Sequence, residues 1–333
     1  MVADFTLEVP EGREARILQL SDPQVIESEQ ERFPGRLGGL YDRWKREKKD
    51  HNYRDCIRET VRRARPDMIF ITGDLVYGEF DDSGEAFLEF ISFMESFRIP
   101  WAPVFGNHDN DSKRGVSWQC ERLEAAEHCR FFARPIENSH GNYTLLLTRG
   151  GAPLRLFVFL DSGGFLRPAG IMEGQRAFYR RAVAEAKTLR PDMPLSFVTH
   201  IQPAVFREAF RLYSPDLAFP IDVDLLGKEG DFGWVGRDIK GIWDEDQSFF
   251  EEIRALGADS LFVGHEHCSN ASIVYRGVRL QYGQKSSRYD RLNHVILGDI
   301  VGGYGEAGEA ILGGTAFSLG NRGEILRPHL VLV

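Results

Sequence analysis

Met68-Ile69-Phe70-Ile71-Thr72-Gly73-Asp74 is the stretch on which the fold turns: a short apolar run, closed by a glycine and a carboxylate. The apolar run reads as a buried strand, and Asp74 stands at its C-terminal end. The arrangement recurs along the chain. Ile17-Leu18-Gln19-Leu20 precedes Asp22, and Ala102-Pro103-Val104-Phe105 precedes Asn107. Leu195-Ser196-Phe197-Val198 precedes His200, and Leu261-Phe262-Val263 precedes His265 and His267. In open α/β sheets, ligands bind in the crevice outside the carboxyl ends of the strands. Five such endings, with Tyr77 close behind Asp74, point to one convergent metal site built from hard oxygens and imidazoles.

Working outward, helices are predicted between the early strands. One covers 50–65, with Cys56, Ile57, Thr60, Val61 and Ala64 on one stripe; another covers 84–97, with Phe87, Leu88, Ile91, Met94 and Phe97. Strand and helix in alternation imply parallel pairing with right-handed crossovers. The middle of the chain holds strands over 143–148 and 154–160 around Arg149-Gly150-Gly151, a hairpin signal, and then a helix over 172–189. The last third returns to strands near Ser260, over 271–275, 278–282 and 294–297, and near the end, with a glycine-rich loop over 302–314. Two sheets packed face to face under helices are the expected architecture, in a single domain over 1–333.

Composition excludes several classes. A formal net charge of −9 argues against a dominant nucleic-acid footprint, and the basic run 43–49 reads as a solvated segment. No apolar stretch approaches membrane-spanning length. The acidic N-terminus lacks the basic-then-apolar order of a signal peptide, so a cytoplasmic location is expected. Cys56, Cys120, Cys129 and Cys268 form no CxxC pair and are expected to be buried, reduced thiols.

Each block carries its own chemistry. In Gly106-Asn107-His108-Asp109, Asn107 offers a neutral oxygen ligand, His108 is placed to act as an acid, and Asp109 is the expected partner that sets its tautomer. Gly264-His265-Glu266-His267 puts two imidazoles on one face of a continuing strand. Asp74 is a carboxylate able to bridge two cations, and Asp22 adds a second negative oxygen. Asp161, closing the run before Ser162-Gly163-Gly164, is a candidate substrate contact. So are Arg288 and the Tyr282-Gly283-Gln284-Lys285 segment.

Taken together and in this order, the blocks resemble the calcineurin-like metallophosphoesterase superfamily, specifically the intracellular branch related to purple acid phosphatases. The resemblance spans residues 22–267. It implies an α/β, four-layer αββα sandwich with two metal ions (Fe, Mn or Zn) at the strand ends. It implies Asp22, Asp74 and His267 on the first metal, Asn107, His200 and His265 on the second, and Asp74 bridging. His108 would sit beside the substrate, oriented by Asp109, while hydroxide held by the ions attacks phosphorus in line. Position 24 departs from the usual Asp-x-His of the superfamily: Gln24 stands there. Gly73 to Tyr77 matches the block by which purple acid phosphatases supply a phenolate, so Tyr77 is the expected substitute ligand, favouring ferric iron. The implied function is hydrolysis of a phosphomonoester, carried by a small phosphorylated substrate or a phosphoprotein, with neither nucleic acid nor membrane as partner. The alternatives are a phosphodiesterase, holding a base or acyl chain in the aromatic runs 206–213 and 232–234, and a catalytically silent scaffold that binds protein.

Overall fold

The structure, a computed structural model, describes residues 2–27, 30, 52–164, 168–226, 228–236, 243–287 and 311–333. From the N-terminus the elements are β1 (Phe5–Glu8), β2 (Ala15–Leu20), α1 (Asn52–Ala64), β3 (Met68–Ile71), α2 (Glu85–Glu95), β4 (Trp101–Pro103) and α3 (Val116–Glu124). There follow β5 (Tyr143–Arg149), β6 (Ala152–Phe159), α4 (Glu173–Leu189), β7 (Leu195–Val198) and α5 (Val205–Phe210). The last third gives β8 (Ile221–Asp222), β9 (Trp234–Val235), α6 (Ser248–Ala255), β10 (Ala258–Val263), β11 (Ser272–Tyr275), β12 (Val278–Tyr282), β13 (Gly313–Leu319) and β14 (Ile325–Leu332).

Two mixed sheets result. One has the order β1-β5-β6-β7-β10-β12-β11, the other β14-β13-β2-β3-β4. Within them β6, β7, β10 and β12 run parallel, as do β2, β3 and β4. The period-2 alternation of a strand divides each inner sequence between two environments. Leu145, Leu147, Phe157, Phe159 and Phe262 join the cluster that includes Ile17, Phe70 and Phe317 of the second sheet. Their neighbours Leu146, Leu156, Val158, Leu261 and Val263 join the cluster formed with α4, α5 and α6. Phe70 meets Phe157 and Phe262 across the sheets at ring-centre distances of 6.1 and 5.1 Å. On the far side of the second sheet, α1 packs on β2, β13 and β14. This is the four-layer α/β sandwich expected from the strand endings.

The expected hairpin closes through Gly150 and Gly151 at φ 56° and 73°, the two left-handed positions a tight turn between antiparallel strands requires. The expected helices form at α1, α2 and α4. The structure adds β1, α3, α5 and α6, and α5 corrects the reading of 206–213 as a substrate-holding loop. Phe206 and Phe210 lie on that helix, buried, with Phe206 4.9 Å from the ring of Tyr282. Trp234 of the second aromatic run is also buried. All four cysteines are buried. The strand expected over 294–297, most of the loop over 302–314, the basic run 43–49 and Arg288 lie outside the described residues. Among the described residues, no helix is long and apolar enough to cross a membrane.

Candidate metal centre

The carboxyl ends of β2, β3, β4, β7 and β10 deliver their side chains to one place. The backbone there is strained: Asp22, Gln24, Asp74 and His265 take φ values of 51°, 46°, 52° and 71°. Such left-handed non-glycine residues cost on the order of 1–3 kcal/mol each and persist only where their surroundings over-determine them. Cross-strand hydrogen bonds do so here. Asp22 N donates to Gly73 O at 3.2 Å, Gln24 N to Asp74 O at 2.8 Å, and Gly264 N to His200 O at 2.9 Å. A Cβ at Gly106 would overlap the Asp74 carboxylate, so only glycine lets the β4 turn pass that close.

One half of the site consists of acceptors. His200 Nδ1 lies 2.7 Å from Thr72 O, and a carbonyl only accepts, so Nδ1 carries a proton there and Nε2 is the ring nitrogen turned into the site. That Nε2 faces Asn107 Oδ1 at 3.0 Å and Asp74 Oδ1 at 3.4 Å. Asn107 Oδ1 also lies 2.8 Å from His265 Nδ1. Burial, reinforced by His200, pushes the His265 imidazole down to about 3, which leaves it neutral and able to ligate. Donor atoms of Asp22, Asp74 and His200 lie within 4.8 Å of one another. Lone pairs converging in this way fit a bound cation.

The other half is crowded with hydrogen-bond donors. Asp22 accepts from Ser21 Oγ and from His265 N, and its Oδ1 lies 3.2 Å from His267 Nε2. Burial pushes the Asp22 carboxyl up. His267, by hydrogen bond and charge, with His200 and Lys285, more than reverses this and holds it below the usual carboxylate range. Gln24 Nε2 donates to Asp74 Oδ2 at 3.0 Å. Its Oε1 accepts from Lys285 Nζ at 3.0 Å, and the same ammonium donates to Asp22 O at 3.0 Å. An ammonium has only donors, which fixes the orientation of the amide. Behind Ser21, a buried chain of donors runs from Arg279 through Ser272, Gln281, Gln19 and Thr72. The strand-interior glutamines thus find partners between the sheets.

A search among family models matches residues 15–269, well over half of the chain, to the calcineurin-like phosphoesterases. The chain belongs to that family. A probable inactive purple acid phosphatase 29 of Arabidopsis thaliana is 24% identical over 260 residues, which cover 70% of this chain and 63% of that protein. A probable inactive purple acid phosphatase 28 from the same plant is 41% identical over 64 residues, 19% of this chain and 16% of that protein. The chain therefore matches less than two thirds of the length of each of these relatives. Among solved structures, a dimetal phosphatase from Danio rerio superposes with a TM-score of 0.54 at 11% identity, covering 92% of this chain and 93% of the other. That likeness speaks for the fold alone.

Calcineurin-like phosphoesterases bind two metal ions, and the six ligand positions expected here, Asp22, Asp74, Asn107, His200, His265 and His267, are joined by the short contacts above. Tyr77 is buried, with its ring stacked 4.0 Å from that of His108. Three expectations need correction. The carboxylate on His108 is Asp111, whose Oδ2 lies 3.0 Å from Nδ1. Residues 109–111 form a 3₁₀ turn, in which side chains three apart eclipse, so i+3 rather than i+1 reaches the ring. Asp109 is instead fully buried and accepts from Gly106 N at 2.7 Å and Val76 N at 3.0 Å, clamping the β3 and β4 turns together. Asp161 is also a clamp: it accepts from His140 N at 2.9 Å and Gly163 N at 2.7 Å, and the loop it holds brings Gly164 against Asn107. Lys285, read as a contact for substrate phosphate, is 1% exposed and spent on Asp22 and Gln24. The signal that would have found it is its place: it follows β12, a parallel neighbour of β10, at the same sheet edge as the ligands.

Proposed function

We propose that this chain is a metal-dependent hydrolase of phosphoric esters that prefers phosphomonoesters. The observation that carries the reading is the convergence of His200 Nε2, Asn107 Oδ1 and Asp74 Oδ1 within hydrogen-bonding distance of one another at the strand ends. Two cations held by Asp22, Asp74 and His267 and by Asp74, Asn107, His200 and His265, with Tyr77 a further ligand on the first, would supply Lewis acidity and lower the pKa of bound water. Iron, manganese and zinc all suit these donors.

The remaining work falls to the chain. His108 Nδ1–H is held by Asp111, which leaves Nε2 to present a proton to the departing ester oxygen. The backbone N–H of His108 donates to Asp74 Oδ1 at 2.9 Å and so ties the position of the acid to that of the carboxylate. Of the aromatic side chains that would hold a base or acyl chain for a diesterase, Phe206, Phe210 and Trp234 are packed inside the fold, and Tyr213 and Phe232 are half-buried.

One observation favours a second reading. Gln24 presents N–H to Asp74 where most of the superfamily presents an imidazole, which suits a silent scaffold that binds phosphoprotein. Hydrolysis of a chromogenic phosphomonoester and its bis-ester, with Mn, Zn or Fe added, separates the readings. Faster turnover of the monoester is expected. Bound metal with no turnover of either ester would leave the scaffold.

A further inference from the structure

Lys285 lies beyond the span matched by the family model, three residues after the end of β12. Taking an ammonium out of water is costly unless it is paired and hydrogen-bonded. Here it is bonded to Asp22 O and Gln24 Oε1, beside the Asp22 carboxylate. A metal ion in this half would draw on the same negative charge. The ammonium also turns the Gln24 oxygen toward itself and the Gln24 NH2 onto Asp74 Oδ2, so position 24 offers a donor where a cation needs an acceptor. Among the described residues, no ammonium is bonded into the half formed by Asn107, His200 and His265.

We propose that Lys285 is a positioning residue that weakens cation binding in the Asp22–His267 half, so that the two metal positions differ in affinity and the Asn107–His200–His265 position fills first. The proposal rests on the metal-dependent reading above. The segment is also a structural strap: Ser286 N donates to Ser21 O at 2.9 Å, and Ser21 N to Ser286 Oγ at 3.1 Å. The test must therefore separate charge from bracing.

Metal-stripped full-length protein is titrated with Mn²⁺ by calorimetry, with bound metal counted by elemental analysis and folding checked by thermal unfolding. The wild type is expected to show two binding events of unequal affinity. Lys285→Met should tighten the weaker event by about tenfold or more and leave the stronger within about twofold, since one unit of opposing charge is removed nearby. Lys285→Gln keeps a hydrogen-bond donor and carries the test if the methionine variant does not fold. Lys285→Arg, which keeps the charge, should retain the wild-type separation. Two bound Mn²⁺ with the same separation in the neutral variants, or an arginine variant that behaves like them, would overturn the role of Lys285 while leaving the metal centre standing. Failure of every form to bind Mn²⁺ would remove the metal-dependent reading and this proposal together.

Discussion

The two halves of the candidate centre differ in residue type and in the hydrogen bonds their atoms already accept. Around Asn107, the amide oxygen faces the His200 and His265 ring nitrogens, and His200 holds an Nδ1 proton on Thr72 at the far side of its ring. Around Asp22, the carboxylate already receives bonds from Ser21 and His265, and Gln24 bonds the neighbouring Asp74 Oδ2, with an ammonium behind them. A polar group at a strand end therefore does not by itself define a ligand position. What decides is how much hydrogen bonding and charge each oxygen has already accepted.

Asp74 belongs to both halves, so its removal is the most severe way to break the comparison. Asp74→Ala should empty both positions and abolish turnover, as read by metal content and ester hydrolysis. Retention of two metals would refute bridging. The next effect acts on the acid and leaves both halves intact. His108→Ala should lower turnover by about 10²–10⁴-fold with metal content nearly unchanged. Asp111→Asn should follow it in direction, because it withdraws the partner of Nδ1.

Asp109→Ala should behave otherwise. It leaves two backbone N–H groups without their acceptor between the β3 and β4 turns. A stability loss of roughly 1–3 kcal/mol per unmade bond is expected in chemical denaturation. If turnover fell while stability held, Asp109 would regain the role the sequence reading gave it.

Tyr77 tests the first half alone. In iron-loaded protein a visible charge-transfer band is expected, and Tyr77→Phe should remove it. A band that survives would show that the phenol only packs on His108. The smallest effect contrasts two buried aspartates. Charged neighbours hold Asp22 low, whereas burial pushes Asp81 up to about 6, against two backbone bonds from α2 that pull it down. The folded state thus holds the Asp81 proton more tightly than the unfolded state. The stability it contributes is present below the ordinary aspartate value and lost as pH rises toward 6. Between pH 4 and 7 the wild type should lose roughly 2 kcal/mol relative to Asp81→Asn, as read from denaturation midpoints.

Much of the fold was legible because its strands announce themselves twice, by an apolar run and by the polar group that closes it. Helices with a clean stripe, α1 and α2, were legible for the same reason. Helix α5 was not: its six residues are mostly apolar and too short to show a period, and burial on Tyr282 gives it a place that local pattern does not. The hairpin declared itself through two glycines whose turn demands left-handed backbone.

The chain by itself determined which atoms stand at the strand ends, since a carboxylate, amide or imidazole after an apolar run is a local fact. Only the tertiary structure decided which of those atoms accept, which donate and which are already taken. His108 meets Asp111 rather than Asp109 because a 3₁₀ turn aligns residues three apart. Lys285 reaches Asp22 and Gln24 across some 260 residues of chain because the segment after β12 bridges to Ser21 at the end of β2 in the other sheet. Hydrogen-bond polarity depends on partners brought together by packing, and no local stretch of sequence contains them.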